Sequence, residues 1–458
     1  MRTTRMIAFA VGVLLLGGSP AVAGQAEQVP RSDWIKSTVA YPTPGTSSTR
    51  ETIGELPRSP QEVEAEARRT QASYEVSADG MLQRKAAVKA GYDYITSSEC
   101  QANDEADDPG GWVKNHFAWC KRGYDYTTYA KTCNPQNPND CIIRGTVRVR
   151  WDVIGYGRHE DASSPSTTDR HMNFTITVRD IQPTGVFTQP GASFSLSTWC
   201  YTTDPLKNCK TDGTNGATRT IPQWRADPNA YVELISPAKE PAKQHGEQLI
   251  HAGPVVKFAG QVPGFQPGAS IDAEMTDIRF DSAWYLSTYG NRGSIFTRVA
   301  PFLVYSKAAN SGYKEVADHI EQALNRPGDT KPPFSDKQIP GKSWQNPIYR
   351  LASELNDDNS RREGRNRYYS KKACNVYFPG WDTLKGPDGK PINQCDEFPF
   401  ASTYNGAGQF IDDGPQYKDM FSAKPVHRDD NNAAGNVLKL WYHWERITDH
   451  NPFYVTVR

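Results

Sequence analysis

The chain has 458 residues, 37% hydrophobic and 11% aromatic, with 36 Gly and 33 Pro. That aromatic content excludes a disordered chain, and the length accommodates two or three domains at roughly 100–200 residues each. Basic and acidic residues balance at 52 each, which excludes a chain-wide attraction to polyanions and leaves any such site local.

The first segment is basic ("MRTTR"), then apolar ("MIAFAVGVLLLGG"), then small ("SPAVAG"), with Ala21 and Ala23 at the small-residue positions. It reads as a secretory signal peptide over residues 1–23, cut after Ala23. The apolar run stops short of the about 20 residues a membrane span needs. The mature protein is therefore expected to be soluble, secreted and extracellular. Residues 24–94 divide in two. The part up to residue 60 is rich in Ser, Thr and Pro and reads as a flexible N-terminus. "SPQEVEAEARRTQASYEVSADGMLQRKAAVKAGY" is helical in composition, with Ser59 and Pro60 as its start.

Eight cysteines fit export. None forms a CxxC pair or stands at zinc spacing from a histidine, so they read as disulfides. Local order gives the pairs Cys100–Cys120, Cys133–Cys141, Cys200–Cys209 and Cys374–Cys395, because short loops are cheapest to close.

Residues 95–308 change texture. "GTVRVRWDVIGYG", "HMNFTITVRDIQ", "ASFSLSTWC", "AYVELIS", "PVVKFAGQV", "AEMTDIRFDSAWYL" and "SIFTRVAPFLVYS" alternate apolar and polar residues between Gly-, Pro- and Asn-bearing loops. This pattern predicts an antiparallel β-sandwich-like domain. His159, Glu160 and Asp161 run into "ASSPSTTD" and read as a hairpin loop rather than a metal site.

From Tyr313 the period changes. "YKEVADHIEQALNRPG" puts Val316, Ile320, Ala323 and Leu324 on one helical stripe, ended by Pro327-Gly328. His319 falls on that stripe and is assigned no catalytic role. "RREGRNRYYSKK" holds the one basic concentration: Arg361, Arg362, Arg365, Arg367, Lys371 and Lys372. "DDNNAAGNVLKLWYHWERITDHNP" predicts a helix capped by Asp430 or Asn431, and "PFYVTVR" a closing strand.

Three pieces of this last third, in order, resemble the NucA/NucB family of secreted bacterial deoxyribonucleases. "YKEVADHIEQA" looks like that family's opening helix, with Lys314 where its pattern has Pro. "CDEFPFA" (395–401) is similar to its Asp-Glu-Trp/Tyr-Pro-x-Ala motif. "DNNAAG" (430–435) is similar to its Asp-Asn-x-Gly-Ala-Gly helix start, with Ala433 for the first Gly. The resemblance covers 313–458. It implies a small nuclease domain with a ββα-metal-like core. With the β-sandwich-like domain of unknown role before it, the chain is expected to be α+β, and the change of texture between Ser306 and Tyr313 predicts that the two domains are separable.

Its implied activity is endonucleolytic hydrolysis of DNA with little sequence specificity, dependent on a divalent cation, Mg²⁺ or Mn²⁺. Carried over, Asp396 is the candidate general base with Glu397 beside it. Asn431, Asp430 and Glu397 are the candidate metal ligands, as oxygen donors suited to a hard cation. Arg361, Arg362, Arg365 and Arg367 are the candidate phosphate-binding residues. His427 is a further candidate base. DNA is the expected partner, the protein is expected to be a monomer, and the β-rich domain is left the binding of an unidentified surface ligand. One departure counts against activity: Bacillus members carry a Glu seven residues before the motif Asn, where this chain has Lys424, with Asp412 or Asp413 the nearest substitutes. The competing expectation is therefore a surface-binding or toxin-delivery protein with an inactive nuclease-like domain.

Overall fold

The computed structural model describes residues 32–40, 62, 65, 68–81 and 92–458, apart from 135, 161–168, 203–208, 239–242 and 269. The signal-peptide reading lies outside the described residues. Among them, no helix is long and apolar enough to cross a membrane.

The fold is α+β and rich in antiparallel strands. Its first part contains β1 (Ser32–Ala40), β2 (Ser73–Ser77), helix α1 (Ser97–Ala102), β3 (Trp112–Asn115), β4 (Ala118–Asn134), β5 (Asn137–Tyr156), β6 (Arg158–Glu160) and β7 (Arg170–Pro183). Next come β8 (Ser193–Thr202), β9 (Lys210–Asn215), β10 (Ala217–Thr220), helix α2 (Ile221–Ala226) and β11 (Asn229–Ser236). β12 (Gln248–Gln261), β13 (Ile271–Glu274), β14 (Ile278–Ser282) and β15 (Arg292–Phe296) complete it. One sheet runs β1-β4-β5-β7-β11-β9 with β3 on β4; the other runs β10-β8-β12-β14-β15-β6 with β13 on β12. Alternation explains their packing. In β5, Val147, Val149, Trp151 and Val153 are buried while Arg148 and Arg150 are exposed. They meet Phe194 and Leu196 of β8 and Val256 and Phe258 of β12 in one core. All four expected disulfides are present.

The remaining elements are β16 (Ala300–Tyr305), α3 (Lys314–Asn325), β17 (Ile348–Tyr349), α4 (Asp357–Tyr377), β18 (Asn393–Phe398), α5 (Gln409–Asp412), β19 (Ser422–His427), α6 (Arg428–Trp444) and β20 (Pro452–Val457). β17, β20, β16 and β2 form a four-stranded sheet in that order. β16 is parallel to both β20 and β2. α3 and α6 bury Val316, Ile320, Val437 and Trp441 in a second core with Leu303 of β16 and Val455 of β20. β18 and β19 form an antiparallel pair, and α6 starts directly after β19.

Four expectations change. Ser32–Ala40, expected to be a flexible tail, pairs with β4; Trp34, Ile35, Thr38 and Val39 favour a strand. Ser73–Ser77, expected to be helical, is a strand between helical residues at 68–70 and 78–81. Pairing with β16 and burial of Val76 override the local composition. His159 lies in β6, not in a loop. The division between the two parts falls between β15 and β16, not at residues 308–313, because β16 belongs to the sheet of β20.

The parts are also joined through buried polar contacts. Arg446, after α6, donates Nε to both carboxylate oxygens of Asp281 in β14 at 2.9 and 3.0 Å, and neither side chain is exposed. It donates further to the Gly290 carbonyl at 3.0 Å. Arg279 donates to the Arg446 carbonyl at 2.6 Å and to Asn451 at 2.7 Å. Burial works to raise the Asp281 carboxyl, but Arg446, Arg279 and Arg170 outweigh it and hold it below the usual range.

The C-terminal part is therefore expected not to fold when cut at 313. A 313–458 fragment lacks β2, β16 and Asp281, leaving one edge of β20 open and Arg446 unpaired. It is expected to show no cooperative thermal unfolding by circular dichroism, whereas the mature chain does. A fragment with a native-like transition would show that the second core stands alone.

Candidate active-site cleft

A cleft of about 420 Å³ opens between α4, α6 and β18. Its walls carry Glu363 and Arg367 from α4; Gln394, Asp396 and Glu397 from β18; and Asn431, Asn432, Lys439 and Tyr442 from α6. Arg350 and Glu354, before α4, also line it.

Each wall is positioned by local chemistry. β18 is stapled to α4 by Cys374–Cys395, a loop closure contributing on the order of 3 kcal/mol in the chain-entropy model. α4 buries a narrow polar stripe of Asn359, Asn366 and Ser370 before Ala373 and Cys374. Asn366 donates to the carbonyls of Ala401 and Thr403 at 2.8 and 2.9 Å. α6 begins three or four residues earlier than expected: His427, not Asp430 or Asn431, is its cap, accepting from the Asp429 amide. Asn431 consequently lies in the first turns, where its Nδ2 donates to Gln394 Oε1 at 2.8 Å.

Strand alternation separates the two adjacent carboxylates. Asp396, 7% exposed, turns toward α3 and accepts from His319 Nδ1 at 2.6 Å. The other ring nitrogen of His319 bonds Ser422 Oγ at 2.7 Å. His319 and Ser422 are each 1% exposed and do not line the cleft. These residue types match a nucleophilic triad, but the hydroxyl is sealed inside the core, so the relay fixes β18 to β19 and α3. Glu397 turns the other way, toward Arg367 and Ser370 of α4. Burial, then the Asp396 charge, push its carboxyl up to about 7 against the pull of Arg367.

The basic cluster disperses. Arg361 pairs with exposed Asp358. Arg362 and Arg365 are taken by Asp413 and Asp412, so those aspartates are committed outside the cleft. Arg367 alone of the four lines it, bonded through Nε to Glu363 Oε1 at 3.1 Å. Asp430 does not line the cleft: its carboxylate accepts from the Glu315 amide at 2.9 Å, at the start of α3. His427 is likewise spent on its cap. Lys424 sits opposite Asp396 in register and does not line the cleft.

Sequence reasoning missed Glu363, Gln394 and Arg350. Glu363 carried a usable signal, standing four residues before Arg367 on a helix. Arg350 carried none, because its place depends on long-range packing. Among the described residues, no group of three or more His, Cys, Asp or Glu side chains is arranged to hold a metal ion. Comparison with known protein families, curated proteins and solved structures finds no match.

The raised Glu397 carboxyl has a stability consequence. Its ordinary value is 4.5. Between 4.5 and about 7 the unfolded chain has lost this proton while the folded chain keeps it. Glu397 therefore costs stability as pH rises through that window. Glu397→Gln removes the cost. Thermal melts from pH 4 to 8 in EDTA are expected to show the variant gaining on the wild type as pH rises, then levelling near pH 7 or 8. A pH-independent difference would mean that Glu397 titrates normally.

Proposed function

We propose that the chain is a secreted, metal-dependent endonuclease that hydrolyses phosphodiester bonds of DNA with little sequence specificity. The observation that carries this reading is the convergence in one cleft of a carboxyl poised near neutrality, an arginine beside it and an amide from the first turns of the helix that follows the strand pair. A strand pair followed directly by a helix, β18–β19–α6, supports the ββα-metal-like core that the NucA/NucB resemblance implies.

The donors fit a hard divalent cation. Glu363 uses Oε1 for Arg367, and Asn431 uses Nδ2 for Gln394, so the chemistry open to each includes an oxygen lone pair. Such a sparse, all-oxygen set suits Mg²⁺ or Mn²⁺ held by one or two protein groups and completed by water and substrate phosphate. Asn431 and Glu363 would hold it. When bound, the cation polarises the phosphoryl and leaving oxygens.

The residues of the chain do the rest. Glu397 accepts the proton of the attacking water, the role first given to Asp396. Its raised carboxyl suits a base acting near neutrality. Asp396 acts through structure, gripping His319 so that β18 presents Glu397 at a fixed place. Arg367 lies beside Glu397 and donates toward phosphoryl oxygen, where a guanidinium matches the developing charge. One observation favours an inactive, surface-binding protein: Lys424 stands where the resemblance places a Glu. Its position outside the cleft weakens that alternative.

The test is plasmid relaxation by the purified mature chain. Activity is expected with Mg²⁺ or Mn²⁺, to be abolished by EDTA, and to rise with pH through about 7 as Glu397 deprotonates. Glu397→Gln is expected to lower the rate by about 10²–10⁴-fold with folding intact. Asn431→Ala is expected to be partly rescued by excess metal, and Glu397→Gln is not. A wild-type chain inert with every divalent cation would support the binding reading.

A further inference from the structure

Arg350 is the least expected group in the cleft. It is 4% exposed yet lines the cleft. Among the described residues its Nε has no hydrogen-bond partner. The nearest carboxylate, Glu354, lies 4.0 Å from another nitrogen and is itself 45% exposed. A buried guanidinium without a full set of acceptors is costly unless something supplies them.

Its geometry is fixed beforehand. The guanidinium lies over the Tyr442 ring, 3.8 Å from the centroid. Its backbone is pinned on both sides, donating to the Asn451 carbonyl at 3.0 Å and accepting from the His450 amide at 2.9 Å. Lys439 lines the same end of the cleft. The local field there is positive: burial, then Arg350 and Lys439, push neighbouring His443 down to about 3, so it stays neutral. Asn431 and Tyr442 are eleven residues apart on α6, about 16 Å along the axis. The cleft thus runs from Asn431, paired with Gln394, to Arg350 on Tyr442, where Lys439 and Glu354 also line it.

We propose that Arg350 is an anion-recognition residue at the far end of the cleft, binding a second backbone phosphate. The substrate is then a nucleic-acid strand several nucleotides long, not a mononucleotide. This rests on the nuclease reading for what occupies the cleft beside Glu397, and the fork of Arg350 suits two phosphate oxygens.

The experiment measures binding without turnover. A fluorescent 12-nucleotide single strand is titrated with the mature chain in EDTA at 50–200 mM NaCl and read by anisotropy. Arg350→Met keeps the stem against Tyr442 and removes the charge. It is expected to bind about 10–100-fold more weakly, and its salt slope is expected to fall by about 0.7, one phosphate contact. Arg350→Lys keeps the charge without the fork. It is expected to keep the slope at intermediate affinity, and it carries the test if the Met variant fails to fold. Binding by a folded Arg350→Met within twofold of wild type overturns the proposal. So does wild-type affinity in Arg350→Lys when the Met variant does not fold, equal competition by polyglutamate, or no binding by the wild type. A chain that binds through Arg350 yet cleaves nothing would sink the nuclease reading and leave this one standing.

Discussion

The paired charges of Arg446 and Asp281 fasten the end of α6 to the β-rich part. Neither touches water, and burying two ions costs several kcal/mol each before their attraction and hydrogen bonds offset it. Removing one partner of such a pair typically costs about 3–5 kcal/mol, because the other is stranded. Glycine makes the space. A Cβ on Gly293 would sit 2.7 Å from Arg446 Nε and 2.6 Å from the Arg158 carbonyl. Arg446 itself has a positive φ of 52°, which turns the chain from the helix toward β20 while its carbonyl accepts from Arg279. The β-rich part thus anchors the end of the helix that carries Asn431, Lys439 and Tyr442.

The same economy of position operates in β18. Two neighbouring carboxylates repel, and the Asp396 charge helps to raise Glu397. The strand sends Asp396 to a histidine and Glu397 to an arginine, so each meets a different field. One carboxylate becomes an internal fastening and the other a titrating group at the cleft wall. His319 belongs to this arrangement: it lies on the apolar face of α3 because both of its nitrogens find partners inside the core.

Much of the fold was legible because it rests on local periodicity. The alternation in β5, β7, β8, β11 and β12 is a direct imprint of two-faced packing, and the Val316–Ile320–Ala323 stripe marks α3 as plainly. The disulfides followed from loop length. What the sequence hid was non-local. Nothing within "SYEVS" announces a parallel partner more than two hundred residues later. "SIFTRVAPFLVYS" looks like one unit, yet its halves, β15 and β16, belong to different sheets. In the cleft, Glu397 and Asn431 were readable from motifs. The arginines of α4 were not, because Asp412 and Asp413 neutralise two of them across a loop.

The placing of β16 also fixes an order of events. Its neighbours on either side come from residues 73–77 and 454–457, and with β17 on the far edge of β20 the sheet is knit from four segments far apart in the chain. Contacts of such long range make folding slow, since loop-closure entropy is lost before the contacts repay it. A sandwich core can form as its strands emerge from synthesis, but β2 must wait, its partner missing until β16 arrives and its sheet incomplete until β20 is added. The residues that line the cleft run from 316 to 443, so its walls come together only after the β-rich part has been made.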